Sequence, residues 1–351
     1  MGNGLTEGEP AVASIVANVL RPESEHAEAV RQNLSDAEVV LDMSASITMA
    51  RHLALDLESS ARRVSLYMNP SGTDLVLLAE DAERATLLDS LEMQLYRELV
   101  ANPRLAGHFG SPGPRLRYGL SCRDLTSRIP QDLVALHAAV GSRALRTALA
   151  SRAASIMVWR VDPGTMEVQR AELHAAAGER FRNGEWAMCL DGGFRAKIHA
   201  LRTGKLPNET GGVLIGSFDL ERKIVYAVDI VPSPPDSEEW PTVYIRGSKG
   251  LREKVEEIGR VTDGQLEYVG EWHSHPDGSS CSPSQDDLQV FAWLADLMEP
   301  EGLPAVMMIA GETGQIATFV GQVERAEVGA ARMAGARGES HVANIEAVES
   351  H

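Results

Sequence analysis

The sequence predicts an α/β layered region over residues 1–170, an α+β region over residues 171–324 and a disordered tail at 325–351. Three observations predict this division. Short β-branched apolar runs alternate with stretches whose apolar residues recur at helical spacing. A turn at Asp162-Pro163-Gly164 separates the two regions. Beyond about Arg325 the chain is rich in Ala, Gly and charge without periodicity. The 351 residues leave room for two cores of domain size.

In the first region, Ala37 to Leu41 is a β-branched run ending at Asp42. Ile47, Ala50, Leu53 and Leu57 share one face, so 47–57 reads as a helix. Arg63 to Met68 and Leu75 to Ala79 are strands joined by the turn Asn69-Pro70-Ser71-Gly72. Ala82 to Val100 reads as one long amphipathic helix, with Leu87, Leu88, Leu91, Leu95 and Leu99 on its apolar side. Leu133 to Leu149 is a further helix and Ser155 to Val161 a strand. In the second region, Phe194–Leu201, Leu251–Val261 and Ser284–Met298 have helical spacing. Gly212–Leu220, Lys223–Val231, Leu266–His273, Ala305–Ala310 and Ile316–Val320 are strands.

The chain has 33 basic and 50 acidic residues, a net charge of -17. That argues against nucleic acid or an anionic membrane as partner, since phosphate binding needs a basic surface. Cys122, Cys189 and Cys281 lie far apart and form no disulfide framework, so a reducing, cytoplasmic location is expected. The opening MGNGLTEGEP has no basic start followed by an apolar run, and no apolar stretch reaches the length of a membrane span.

The most informative stretch is Trp272 to Asp287, WHSHPDGSSCSPSQDD. His273 and His275 are two residues apart, so on an extended segment both imidazoles point to one face, as chelation requires. A solvated loop pair would have the same spacing. Pro276 stiffens the exit. Ser284 and Asp287 precede an apolar helix as a capping-box variant. That role needs no metal, yet it would also hold Asp287 rigidly beside the histidines. Upstream, Glu209 precedes Thr210-Gly211-Gly212 and an apolar strand, where glycines let backbones approach closely. Two neutral imidazoles and one carboxylate make a three-ligand zinc site with an open position for water. A further carboxylate can take that water's proton.

Together these elements resemble the JAMM, or MPN-plus, metalloprotease signature: Glu209, then His273-Ser274-His275-Pro276, then Ser284-Gln285-Asp286-Asp287. The resemblance spans roughly residues 180–322, including ETGGVLIG and GEWHSHP. The commonest family spacing points to Asp286, but that choice would put Pro283 where the serine belongs. A loop one residue longer through Asp277 to Pro283 selects Asp287 instead. The resemblance implies a mixed, curved sheet flanked by helices, and Zn2+ held by His273, His275 and Asp287. It also implies Glu209 as proton carrier and Ser284 as oxyanion partner. The implied reaction is cleavage of the amide bond after a ubiquitin-like protein, so the implied partners are that protein, its conjugates and cognate conjugation enzymes. The architecture suggests a bacterial conjugation or phage-defence setting. The alternative is a non-catalytic MPN-type scaffold, which would usually lack the ligands.

The amino-terminal region resembles the later half of ThiF/MoeB-type adenylating domains. The resemblance rests on Ala37-Glu38-Val39-Val40-Leu41-Asp42, Ser44-Ala45-Ser46, Asn69-Pro70-Ser71-Gly72 and Ser155-Ile156-Met157-Val158-Trp159. Such domains grip nucleotide with a Gly-x-Gly-x-x-Gly turn at a helix N-terminus. This chain has none; Gly2-Asn3-Gly4 follows no strand. Asp42 is therefore read as a strand-terminal aspartate and Cys122 as inert, with no cofactor-binding residue assigned. The region is expected to be a degenerate or truncated adenylating domain that docks a ubiquitin-like protein or mediates dimerisation; a gene start placed too late is the alternative.

Overall fold

The computed structural model describes residues 12–110, 116–117, 125–126, 129–323 and 348–350. After α1 (Ser24–Asp36) come β1 (Val39–Asp42), α2 (Ile47–Arg51) with a π-helical turn at His52–Asp56, β2 (Arg62–Met68) and β3 (Asp74–Ala79). Then follow α3 (Leu88–Ala101), the short pair β4 (Leu116–Arg117) and β5 (Leu125–Thr126), α4 (Gln131–Ala150), β6 (Ser155–Val161) and β7 (Val168–Leu173). These form a sheet in the order β1-β2-β3-β6-β7, with β1 parallel to β2 and the other pairs antiparallel.

The alternation along β3 organises this half. Leu75, Leu77 and Ala79 pack with Ala144 and Ala148 of α4, while Val76 and Leu78 face Leu91 and Leu95 of α3. A strand covered on both faces reads as a continuous apolar run. The expected helix from Ala82 begins only at Leu88. The Asp81 carboxylate accepts from the backbone N–H groups of Glu83, Ala85 and Thr86, and Arg84 takes a positive φ of 55°. Such local bonds compete with helix formation.

The second half comprises β8 (Gly178–Asn183), β9 (Trp186–Asp191), α5 (Gly192–Thr203), β10 (Gly211–Asp219) and β11 (Ile224–Pro232). It continues with β12 (Glu238–Trp240), β13 (Val243–Ile245), α6 (Leu251–Val261), β14 (Glu267–Ser274), α7 (Gln285–Met298), β15 (Ala305–Ala310) and β16 (Ile316–Gly321). β17 (Val348–Ser350) pairs on β16 and is the part of the carboxyl-terminal tail within the described residues. The sheet order is β17-β16-β15-β14-β10-β11-β9-β8, with β14–β15 and β9–β11 parallel. It curves strongly: Asn183 on β8 donates its side-chain amide to the Thr318 carbonyl on β16 at 2.6 Å. α5 covers one face through Phe194 and Ile198, and α7 packs Phe291, Leu294 and Ala295 against β15 and β16.

α3 joins the halves. Its other side faces Val213, Ile215 and Val228 in the same core that includes Val76 and Leu78, so one helix is buried between two sheets. Polar contacts fix it. Arg97 donates to Asp191 at 2.7 Å and to the Val228 carbonyl at 3.1 Å. Tyr226 donates to Asp89 at 2.8 Å, and buried Arg51 pairs with buried Glu92 at 3.2 Å. Among the described residues, no helix is long and apolar enough to cross a membrane.

Candidate active site and metal centre

The centre of the second sheet places the candidate residues. β10 and β14 run antiparallel with Gly211 opposite His273 and Gly212 opposite Trp272. A Cβ at Gly211 would overlap both the Tyr244 ring and the Trp272 carbonyl, so glycine is required for the β12–β13 hairpin to lie on this strand. Thr210 accepts from the Ser274 backbone at 2.7 Å, and its own N–H donates to the buried Ser274 hydroxyl at 3.1 Å. Glu209 is tied to the hairpin by its N–H to the Trp240 carbonyl at 2.9 Å.

His273 is the penultimate residue of β14, and His275 continues along β15 through its N–H to the Ala310 carbonyl at 2.9 Å. Strand alternation turns Ser274 into the core and both imidazoles outward to one side. Their Nε2 atoms lie 3.2 Å apart. Asp287 approaches both, with Oδ1 3.1 Å from His273 Nε2 and Oδ2 3.8 Å from His275 Nε2. His275 Nδ1 lies 2.5 Å from the Ser280 carbonyl. A carbonyl only accepts, so the ring proton sits on Nδ1 and the Nε2 lone pair faces Asp287. Arg202 on α5, itself buried, donates to the His275 carbonyl at 2.9 Å and to Asp277 at 2.5 Å, holding the loop after the histidines.

Asp287 reaches this position because α7 starts where it does. Ser284 is the N-cap: its hydroxyl accepts from the Asp287 N–H at 3.1 Å, and Asp287 Oδ2 accepts from the Ser284 N–H at 2.7 Å. The capping box and the placement of Asp287 beside the histidines are thus one structure. The Ser284 hydroxyl also hydrogen-bonds the Asp287 carboxylate, so side chain and backbone of Ser284 both hold that acid in place. Asp286, one residue earlier, is exposed and lies outside the cluster of ligand atoms.

A cleft of about 390 Å³ contains Glu209, His273, His275, Ser284 and Asp287, with Asp286 also on its wall. The two histidine side chains are each 12% exposed and Asp287 18%, which leaves them reachable but largely dry. Burial pushes the Glu209 carboxyl up to about 7; Asp287 adds to the shift and His273 opposes it. Burial acts the same way on Asp287, but bonds and charge from His273, with the Ser284 N–H, outweigh it and hold that carboxyl well below the usual range. Burial lowers the His275 pKa, favouring the neutral ligand form.

The donor set fits a divalent metal. Two imidazole nitrogens and a carboxylate converge within 4.8 Å of one another, and the other acids lining the cleft, Glu209, Glu271 and Asp286, lie outside that group, with Glu271 paired to Arg246 and Asp286 exposed. That matches three zinc ligands plus one free proton acceptor.

Other singled-out residues have structural partners. Asp42 accepts from the Ser44 N–H at 2.9 Å, the Ser44 hydroxyl at 2.6 Å and the Ser65 hydroxyl at 3.2 Å. The buried Cys189 thiol is pushed up to about 12 by its burial, with Arg180 opposing, so it is a poor nucleophile. Cys281 is buried beneath α7. Cys122 and Gly2-Asn3-Gly4 lie outside the described residues. The hairpin wall (Val243, Tyr244) and Arg202 belong to the site without matching any element of the metal-site motif. The alternating Glu-Trp-Pro-Thr-Val-Tyr-Ile run is the signal for the hairpin; Arg202 carries none.

Residues 193–321 match the family described as prokaryotic homologs of the JAB domain, so the second half carries a JAB-type domain. A CD-NTase/cGAS isopeptidase of Enterobacter hormaechei subsp. hoffmannii (strain UCI 50) is 40% identical over 104 residues, covering 30% of this chain and 56% of that protein. A CD-NTase/cGAS isopeptidase of Escherichia coli (strain TW11681) is 29% identical over 105 residues, covering 29% of this chain and 62% of that protein. The chain thus spans only a little over half the length of the curated relatives it matches. A solution structure from Desulfitobacterium hafniense shares 20% identity and covers 38% of this chain and 83% of its own, but the TM-score of 0.28 carries no argument.

Proposed function

We propose that the protein is a zinc-dependent isopeptidase that hydrolyses the amide bond following a ubiquitin-like modifier. The observation that carries this reading is the convergence of His273, His275 and Asp287 in a cleft that also holds the half-buried carboxyl of Glu209. Matches to the prokaryotic JAB family and to proteins named isopeptidases support the reaction class. On the relatives' names, a conjugate of a CD-NTase is a substrate to try, and a bacterial conjugation or phage-defence system in the cytoplasm is the proposed setting.

His273 Nε2, His275 Nε2 and an Asp287 oxygen would hold the metal. A bound Zn2+ supplies Lewis acidity and lowers the pKa of water towards neutrality. Glu209, ionised, accepts a proton from the attacking water. Its carboxyl, held near neutrality by burial, then returns that proton to the departing amine nitrogen as the C–N bond breaks. The Ser284 hydroxyl donates to the carbonyl oxygen as charge develops there. Ser280 and Arg202 keep the His275 ring and backbone in place throughout.

For the amino-terminal region we propose a ThiF-type remnant with a docking role, over residues 1–170, ahead of the peptidase domain at 171–324 and a tail at 325–351. Asp42 is committed to Ser44 and Ser65, which favours a structural role over nucleotide chemistry. The test uses a panel of ubiquitin-like proteins bearing a C-terminal fluorogenic amide. Cleavage of at least one by the wild type, abolished by chelator, supports the reading. No cleavage of any member by zinc-loaded protein overturns it.

A further inference from the structure

A helix about 10 Å across cannot cover five strands spaced about 4.8 Å apart. α4 shares a core with Leu75, Leu77 and Met157 of the first sheet, and a Cβ at Gly141 would already come 3.1 Å from Leu66. On the β1–β2 side of the helix a cavity of about 570 Å³ remains, a volume in the range of small-molecule sites. Its walls are mostly apolar: Leu41 and Met43 come from β1 and its exit, Leu66 from β2, Leu75 from β3, and Val134 and Leu145 from α4. No aspartate or glutamate lines it, although the chain carries 50 acidic against 33 basic residues. Arg146 at its exposed edge is its one permanent cation and has no ion pair among the described residues. His137 stands on the buried wall, 2% exposed, roughly 13 Å further back along the axis of α4. Its Nε2 lies 3.0 Å from the Gly72 carbonyl, which only accepts, so Nε2 carries the proton and Nδ1 is an acceptor. That buried Nδ1 has no hydrogen-bond partner among the described residues.

Each feature of the wall selects part of an occupant. An anionic group matches Arg146, an apolar body matches the walls, and a hydroxyl at the inner end would donate to His137 Nδ1, whose burial without a partner is costly. A nucleotide does not match, because its phosphates need several cations or a turn of backbone N–H groups. A strand of polypeptide does not match either, because its row of backbone N–H and C=O groups would meet apolar walls. We infer that this cavity binds a small amphipathic acid, an aliphatic carboxylate that carries a hydroxyl at its buried end. The cavity lies in the other half of the chain from the metal cleft, and its occupancy does not depend on the function proposed above.

The test titrates 12-hydroxydodecanoate, dodecanoate and dodecyltrimethylammonium into the full-length chain by calorimetry, below their micelle concentrations. The expected result is one site per chain, with 12-hydroxydodecanoate bound about fivefold tighter than dodecanoate and the ammonium probe about tenfold weaker than dodecanoate. Arg146→Glu should weaken both acids about tenfold. Ala138→Trp, at an exposed position on the wall, should plug the cavity and abolish binding with Tm kept. Ser142→Tyr, also exposed on the wall, makes the same test should Ala138→Trp fail to fold. No binding of either acid to wild type would overturn the inference, as would equal affinity for the acids and the ammonium probe, the mark of an indiscriminate apolar surface. Binding that survives the plugs would place the acid elsewhere. Equal affinity for the two acids would overturn the role given to His137. A plug that lowers Tm by several degrees in a chain that binds no acid would assign the cavity to polypeptide instead.

Discussion

Replacing Asp287 by alanine separates its two jobs, because the structure gives each a different size. The carboxylate accepts from the Ser284 N–H at 2.7 Å and sits 3.1 Å from His273 Nε2. Alanine keeps half the capping box, since Ser284 still accepts from the backbone N–H at position 287. The stability cost should therefore be about 1 kcal/mol or less, a fall in Tm of roughly 1–2 °C for a chain of 351 residues. Metal binding should suffer far more, because the change removes one ligand of three and the only negative charge among them. A loss of about a hundredfold in zinc affinity, near 2.7 kcal/mol, is expected. Asp287→Asn retains an acceptor for the cap but not the charge, and should show the affinity loss with less thermal shift. Asp286→Ala should bind zinc like wild type, since that side chain is exposed outside the cluster. Competition against a chromophoric chelator gives the affinities and a thermal melt gives the stabilities. Zinc kept by Asp287→Ala but lost by Asp286→Ala would refute the assignment.

Glu209→Gln should bind zinc normally and lose about 10² to 10⁴ in turnover, measured on the fluorogenic panel; full activity would remove Glu209 from proton transfer. Glu92→Ala leaves the guanidinium of Arg51, 7% exposed, without its carboxylate partner and should cost about 3–5 kcal/mol in urea unfolding. That unfolding should remain a single transition, because α3 belongs to the cores of both sheets; two separated transitions would show independent halves. His137 is buried and its pKa is lowered from 6.5 chiefly by that burial. The unfolded chain therefore takes up this proton first, and stability should fall as pH drops below about 6.5. His137→Gln should flatten that part of the pH–stability curve, and an unchanged slope would contradict it.

The long apolar signals were the legible ones. β3, β6, β10, β11, β15 and α7 lie where their periodicity puts them, within a residue or so at each end. The cluster of His273, His275 and Asp287 was legible because its spacing is local to one strand end and one helix start. What escaped the sequence reading was decided by other forces. β7 and β8 carry mostly polar, half-exposed side chains, so their pairing rests on backbone bonds rather than on an apolar pattern. The Asn183–Gly184 dipeptide, with Gly184 at a φ of 60°, marks the β8–β9 hairpin. α1 buries only Val30 and so has a weak apolar stripe. The burial of α3 on two sides was hidden as well, because Asp89, Glu92 and Gln94 read as a solvent face but are spent on Tyr226, Arg51 and the Ala176 backbone. The alternation of helices and strands also concealed a first sheet that is antiparallel at all but one pairing.

The most direct test of a zinc isopeptidase is the zinc content of the purified full-length chain, by elemental analysis after exhaustive dialysis. The convergence of His273, His275 and Asp287 predicts close to one zinc per chain. A chain that retains none, even after zinc is supplied before dialysis, would contradict it.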